Sequence, residues 1–128
     1  MQRTSINPSS WSVKLGFDQA QLIEGHQRLL VCSGQDAVDA DGNPQHPGDM
    51  PAQLEFALDN LEAVLAGADM TVADVARLNV YTTDVDELFT HFPRITERFA
   101  DSRYATSVLG VAHLPAQLLV MLEATAVD

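Results

Sequence analysis

At 128 residues and 13.9 kDa, the chain is sized for one domain spanning residues 1–128, because a chain near ~150 residues buries roughly 70% of its unfolded surface. Its 7 basic and 18 acidic residues leave a formal net charge of −11 spread along the sequence; such a surface repels phosphate polymers and anionic membranes and argues against nucleic-acid partners. No apolar run approaches the ~20 residues of a membrane span, and the start MQRTSINPSSWSVKLGF lacks the apolar block of a secretory signal, so a cytoplasmic protein with no membrane partner is expected.

Trp11 to Val13 reads as a short strand, followed by FDQAQLIEG and RLLVCSG as two more, with Glu24-Gly25-His26-Gln27 between them suited to a hairpin turn. Cys32, the one cysteine, sits in the apolar run LLVCS and reads as a buried structural thiol. The stretch DAVDADGNPQHPGD is a loop by composition. A first helix starts at its end: Asp49 is a good N-cap, Pro51 is tolerated in a first turn, and Leu54, Leu58, Leu61, Leu65 and Ala68 form an apolar stripe ending near Gly67. Glu55, Asp59 and Glu62 fall largely off that stripe.

VARLNVYTT follows as a strand with Ala76, Leu78 and Val80 on one face and Arg77, Asn79 and Tyr81 on the other. Leu88, Phe92, Ile95 and Phe99 mark a second helix, in which Pro93 predicts either a kink or a regular part starting near Thr90. Two strands close the chain, giving the order βββαβαββ and an α+β class. In the last strand Leu118, Val120, Leu122, Ala124 and Ala126 make one apolar face for the helices, leaving Leu119, Met121, Glu123 and Thr125 on the other. In the strand before it, Ser107, Leu109 and Val111 are expected to face the helices, which would put Thr106 and Val108 on the far side with Met121 and Glu123. That side needs its own cover, so self-association through it is expected.

Ser33-Gly34-Gln35 after a strand, the long first helix, and V-A-H-L-P followed by L-E-A-T-A together resemble the RidA (YjgF-like) family of reactive-intermediate deaminases, over about Trp11 to Val127. The resemblance implies a chorismate-mutase-like fold, a mixed six-stranded sheet with two helices on one face, a homotrimer, and small-molecule pockets in the clefts between subunits. It also implies an arginine that grips the substrate carboxylate of an enamine or imine by two parallel charge-assisted bonds. In P-A-R-S-C-V, the deaminase form of the motif, that arginine falls at Thr106 and the cysteine at Val108. The water-positioning glutamate of V-E-I-E-A falls at Met121, and the pocket tyrosine of Y-S-Q-A at Phe17.

Phe17, Ser33, Gly34, Thr106, Val108 and Met121 are therefore the expected substrate-binding residues, and Glu123 the candidate catalytic one. Glu123 has two readings, a displaced general base or a structural carboxylate at a subunit contact. Arg103 is a candidate substitute for the missing clamp, against a solvated loop arginine. Without a cation fixed in the cleft, a neutral polar or partly apolar ligand is expected, and two functions stand side by side: an imine or enamine hydrolase of altered activity, and a non-catalytic metabolite-binding trimer.

No metal or cofactor is expected. Asp39, Asp41 and Gly42 match a calcium loop, but Ala37 and Gly48 occupy its first and twelfth positions. The histidines at 26, 46, 91 and 113 form no zinc motif, and the isolated glycines 16, 25, 34 and 42 form no phosphate loop.

Overall fold

The computed structural model describes residues 1–128. In chain order it contains β1 (Gln2–Ile6), β2 (Ala20–Glu24), β3 (Leu29–Val31), α1 (Met50–Gly67), β4 (Val75–Thr82), α2 (Val85–His91), α3 (Pro93–Arg98), β5 (Ala105–Gly110) and β6 (Val120–Val127). Two expectations at the start of the chain need correcting. The first strand is QRTSI; Trp11 to Val13 instead enters a 3-10 turn, Val13–Leu15, in which the Ser12 carbonyl accepts from the backbone N–H of Leu15 at 2.9 Å and of Phe17 at 3.2 Å. Nor do β2 and β3 form a hairpin, for β2 pairs with β1 and β3 with β6, so the turn at Gly25 carries the chain from one sheet to another.

The main sheet has the order β3-β6-β4-β5, with β4 and β5 parallel and the other neighbours antiparallel. The β1–β2 ribbon joins its β5 edge through a parallel bridge from Asp18 to Ala105. Helix α1 starts where its sequence says it should: the Asp49 side chain accepts from the N–H of Ala52, with Pro51 in the first turn. Leu54, Leu58, Leu61 and Leu65 are at most 1% exposed, and each such burial stabilises by about 1.5–3 kcal/mol. Gln53, also buried, clamps the helix to the sheet, receiving the Leu119 N–H at 2.8 Å and donating to the His46 carbonyl at 3.0 Å.

The off-stripe acids of α1 have a structural use. Arg98 donates to Glu55 at 2.7 Å, Asp59 at 2.8 Å and Glu62 at 2.5 Å, and Arg94 reaches Glu55 at 3.1 Å, tying α3 to α1. Pro93 resolves as a break: α2 ends at His91 and Pro93 opens α3 at a position where its missing N–H costs nothing. Leu88, Ile95 and Phe99 nonetheless share one core with α1 and the sheet.

Strand β6 faces as expected, with Val120, Leu122, Ala124 and Ala126 at most 1% exposed beneath the helices. Strand β5 does not. Its register against β4 sets Thr106 beside Leu78 and Val108 beside Val80, both fully buried helix-side residues, while Ser107 and Leu109 stand beside Asn79 and Tyr81. Thr106 and Val108 therefore lie on the opposite face of the sheet from Met121 and Glu123. β5 is an edge strand covered only in part, so apolar content does not select its inner face; Leu109 is left 46% exposed on the outer one. On the inner face Gly110 admits α2, where an added Cβ would stand 3.0 Å from Val85. No helix is long and apolar enough to cross a membrane.

Candidate functional site

Where α2 and α3 pull away from β5, a cleft of about 570 Å³ opens. Thr106 and Val108 form its floor, Phe89, Phe92, Pro93 and Thr96 one wall, and Trp11, Lys14, Leu15 and Phe17 the other. Trp11 meets Phe17 edge-to-face at 5.6 Å between ring centroids. The Thr106 hydroxyl is not free to donate into this space: it donates to the Leu78 carbonyl at 2.6 Å.

The wall carrying Phe17 and Lys14 is set by two residues. Gly16 has φ 93°, in the left-handed region that favours glycine, and an added Cβ would lie 3.1 Å from Thr96 of α3. Asp18, 5% exposed, accepts from Ser5 and Asn7 at 2.7 Å each and from Gln21 at 2.6 Å, while its own N–H donates to the Tyr104 carbonyl at 2.9 Å. Burial pushes its carboxyl up, but the bonds from Asn7 and Ser5, with Arg103 behind them, outweigh burial and hold it below the usual aspartate range.

Arg103 does not line the Thr106 cleft. It borders a separate hollow of about 300 Å³ behind Phe17, with its Nε 3.5 Å from Asp18. It is thus no substitute clamp in this protomer.

On the other face, Glu123 is held by a ladder of side chains across β4 and β6. Tyr81 donates to its Oε1 at 2.8 Å and Asn79 to the same oxygen at 3.2 Å, while Arg77 steadies Asn79 at 3.1 Å. The bond to Glu123, with burial, raises the Tyr81 hydroxyl above its ordinary value. Glu123 Oε2 makes no hydrogen bond. Beside this ladder Met121 packs onto Gly34 so closely that an added Cβ would lie 2.8 Å from Met121 Cγ and closer still to its sulfur. Ser33 next to it is exposed, its carbonyl taking a bond from the Gln35 side chain at 3.3 Å.

The expected site residues thus form two groups on opposite faces: Phe17, Thr106 and Val108 in the cleft, and Gly34, Met121 and Glu123 around the ladder. Cys32 is 5% exposed, and burial pushes its thiol up rather than activating it. In the acidic loop the Asp39 carboxylate is taken up by the loop itself, accepting from the N–H groups of Asp41 and Asn43 at 3.0 and 2.9 Å. Sequence reading missed Trp11, Lys14, Phe89 and Phe92 as cleft residues. One signal was present: Phe89 is a large aromatic off the buried stripe of its helix, and it is 55% exposed.

The model of the family described as "Endoribonuclease L-PSP" matches residues 17–128. The 2-iminobutanoate/2-iminopropanoate deaminase of Escherichia coli strain K12 is 31% identical over 106 residues, covering 77% of this chain and 79% of that protein. A RutC family protein of Pyrococcus abyssi is 26% identical over 94% of this chain and 87% of its own. Among solved structures, the Rid-family protein YyfB from Yersinia pestis, described as of unknown function, superposes with a TM-score of 0.88 at 34% identity over 100% of both chains. The YjgF gene product of Escherichia coli superposes with a TM-score of 0.71 at 28% identity over 87% of each. The chain belongs to the RidA (YjgF-like) family.

Proposed function

We propose that the protein is an imine or enamine hydrolase of the RidA kind, altered in substrate or rate relative to arginine-bearing members, acting as a cytoplasmic homotrimer with its sites where two copies meet. The observation that carries this is the cleft itself, which gathers Phe17, Thr106 and Val108, three positions matched to the family's site, around one open volume. The activity named for the Escherichia coli deaminase is of this class. The family description mentions an endoribonuclease, but a surface of net charge −11 opposes binding of RNA.

One protomer cannot bring both groups of residues to one ligand, since a sheet separates them. A neighbour presenting its Glu123 face across the cleft of the first copy unites them. Self-association is further supported by apolar side chains on that face, where Val31 is 71% and Leu29 58% exposed. In such a site, water adds to the carbon of the C=N bond while Glu123 Oε2 takes a proton from it. That proton passes to the nitrogen to give the carbinolamine, whose hydroxyl proton then travels by way of Glu123 to the nitrogen as the C–N bond breaks, releasing ammonia and leaving the ketone. Tyr81 and Asn79, both on Oε1, fix the carboxylate for that transfer.

A second reading, a non-catalytic metabolite-binding trimer, is favoured by the same bonds: Thr106 and Glu123 Oε1 are already satisfied within the protomer. The test generates 2-imino acids in place with an amino-acid oxidase and follows keto-acid release. The hydrolase reading expects acceleration by the wild type that Glu123→Gln abolishes. No acceleration by the wild type, with activity appearing in Thr106→Arg combined with Met121→Glu, would establish the binding reading instead.

A further inference from the structure

Of the arginine and lysine side chains, only one has no partner within the protomer, and it lines the cleft. Arg28 pairs with Asp128, Arg94 and Arg98 with the carboxylates of α1, and Arg103 with Asp18. Arg77 donates to Asn79, and Arg3 to the carbonyls of Ala73 and Val75. The ammonium of Lys14, the only lysine, makes neither a hydrogen bond nor an ion pair, in a chain with 18 carboxylate side chains. Within the protomer none of those carboxylates lines the cleft, and Lys14 does. An ammonium left uncommitted at the mouth of an aromatic hollow marks a place for an anion whose remainder is apolar.

We propose that the cleft takes an organic carboxylate bearing an aromatic or large aliphatic side chain, with the ammonium of Lys14 neutralising the carboxylate and the rings of Trp11, Phe17 and Phe89 receiving the side chain. The proposal rests on the cleft being the ligand site and adds the substrate class and the residue that selects it. It departs from the expectation of a neutral ligand, which followed from finding no arginine or lysine fixed in the cleft. Lys14 enters from the Val13–Leu15 turn, on a wall of the cleft rather than its Thr106 floor, so it supplies charge from a different element than an arginine at 106 would. A lysine is a point charge without the two-pronged geometry of arginine, so it tolerates variation in carboxylate orientation and leaves discrimination to the aromatic walls. A two- or three-carbon acid would leave most of about 570 Å³ unfilled.

The test titrates 3-phenylpropionate, its neutral amide and propionate into the wild type, Lys14→Met and Lys14→Arg by calorimetry, alongside hydrolysis of the imines of phenylalanine and alanine. The expected result is that the wild type binds 3-phenylpropionate roughly five- to tenfold more tightly than either comparison ligand. Lys14→Met should erase the preference for acid over amide while keeping amide binding, and Lys14→Arg should retain it. Equal binding of acid and amide by the wild type, a preference that survives in Lys14→Met, or no binding of any of the three overturns the proposal. Acid preference without hydrolysis of either imine upholds Lys14 and removes the hydrolase reading. Hydrolysis without acid preference does the reverse.

Discussion

Asp18 is the joint between the β1–β2 ribbon and the main sheet, and Asp18→Ala should cost about 3 kcal/mol of stability. Three side-chain donors meet its carboxylate at 2.6–2.7 Å, and a hydrogen bond to a charged acceptor contributes about 1.5–3 kcal/mol. Part of that sum is recovered because the half-buried ribbon lets some of the orphaned donors find water. The backbone bond to Tyr104 survives the substitution. Urea unfolding at pH 7 measures the loss directly. The pH dependence supplies a second, independent check. Because the folded carboxyl titrates below its ordinary value of 3.8, the stability it confers is complete above that value and is lost as pH falls through the lower folded one. The gap between wild type and Asp18→Ala should therefore hold from pH 7 to about 5 and shrink below pH 4. A gap under about 1 kcal/mol at pH 7, or one unchanged at pH 3, would refute the role assigned to Asp18.

Gly34→Ala should destabilise by about 1–2 kcal/mol through its clash with Met121, and Met121→Ala in the same chain should remove most of that penalty; additive losses in a double-mutant cycle would contradict the contact. Tyr104 is fully buried with no partner for its hydroxyl, and burial pushes that group up to about 12. Tyr104→Phe should thus be neutral or stabilising by up to about 1 kcal/mol in thermal unfolding, whereas a loss above 1 kcal/mol would reveal a bond to that oxygen. Arg98→Met should cost about 1 kcal/mol, and high salt should narrow the difference, because the partners Glu55, Asp59 and Glu62 are partly exposed; a salt-independent loss would mean that packing, not charge, holds α3 to α1.

The parts legible in the sequence are those where burial is complete on one side. The leucine stripe of α1 and the even positions of β6 are each fully buried, so their periodicity is unbroken and their faces follow directly. β5 is different. At a half-covered edge Val108 and Leu109 are both apolar, and only the register with β4 decides which one meets the helices. β1 carries no apolar alternation at all, since Arg3 and Ser5 face a polar network, so nothing in its composition marks a strand. The segment from Trp11 to Leu15 alternates like a strand yet is held as a turn by the Ser12 carbonyl, which is why Trp11 and Lys14 escaped notice as cleft residues. Phe17, Thr106 and Val108 were identifiable because family motifs mark positions without regard to which face they occupy. That same indifference hid the separation of the cleft from Glu123.

The central claim is that one working site draws on two copies of the chain, and mixing two disabled variants tests it. Val108→Trp blocks the cleft and leaves the Glu123 face intact; Glu123→Gln does the opposite. Each alone should fail to accelerate release of keto acid from an imine. Unfolded together and refolded as mixed oligomers, they should regain a fraction of wild-type activity, because some contacts then join an open cleft to an intact Glu123. Mixed oligomers that form but stay as inactive as the separate variants would contradict the claim, showing that Glu123 of one copy does not serve the cleft of another.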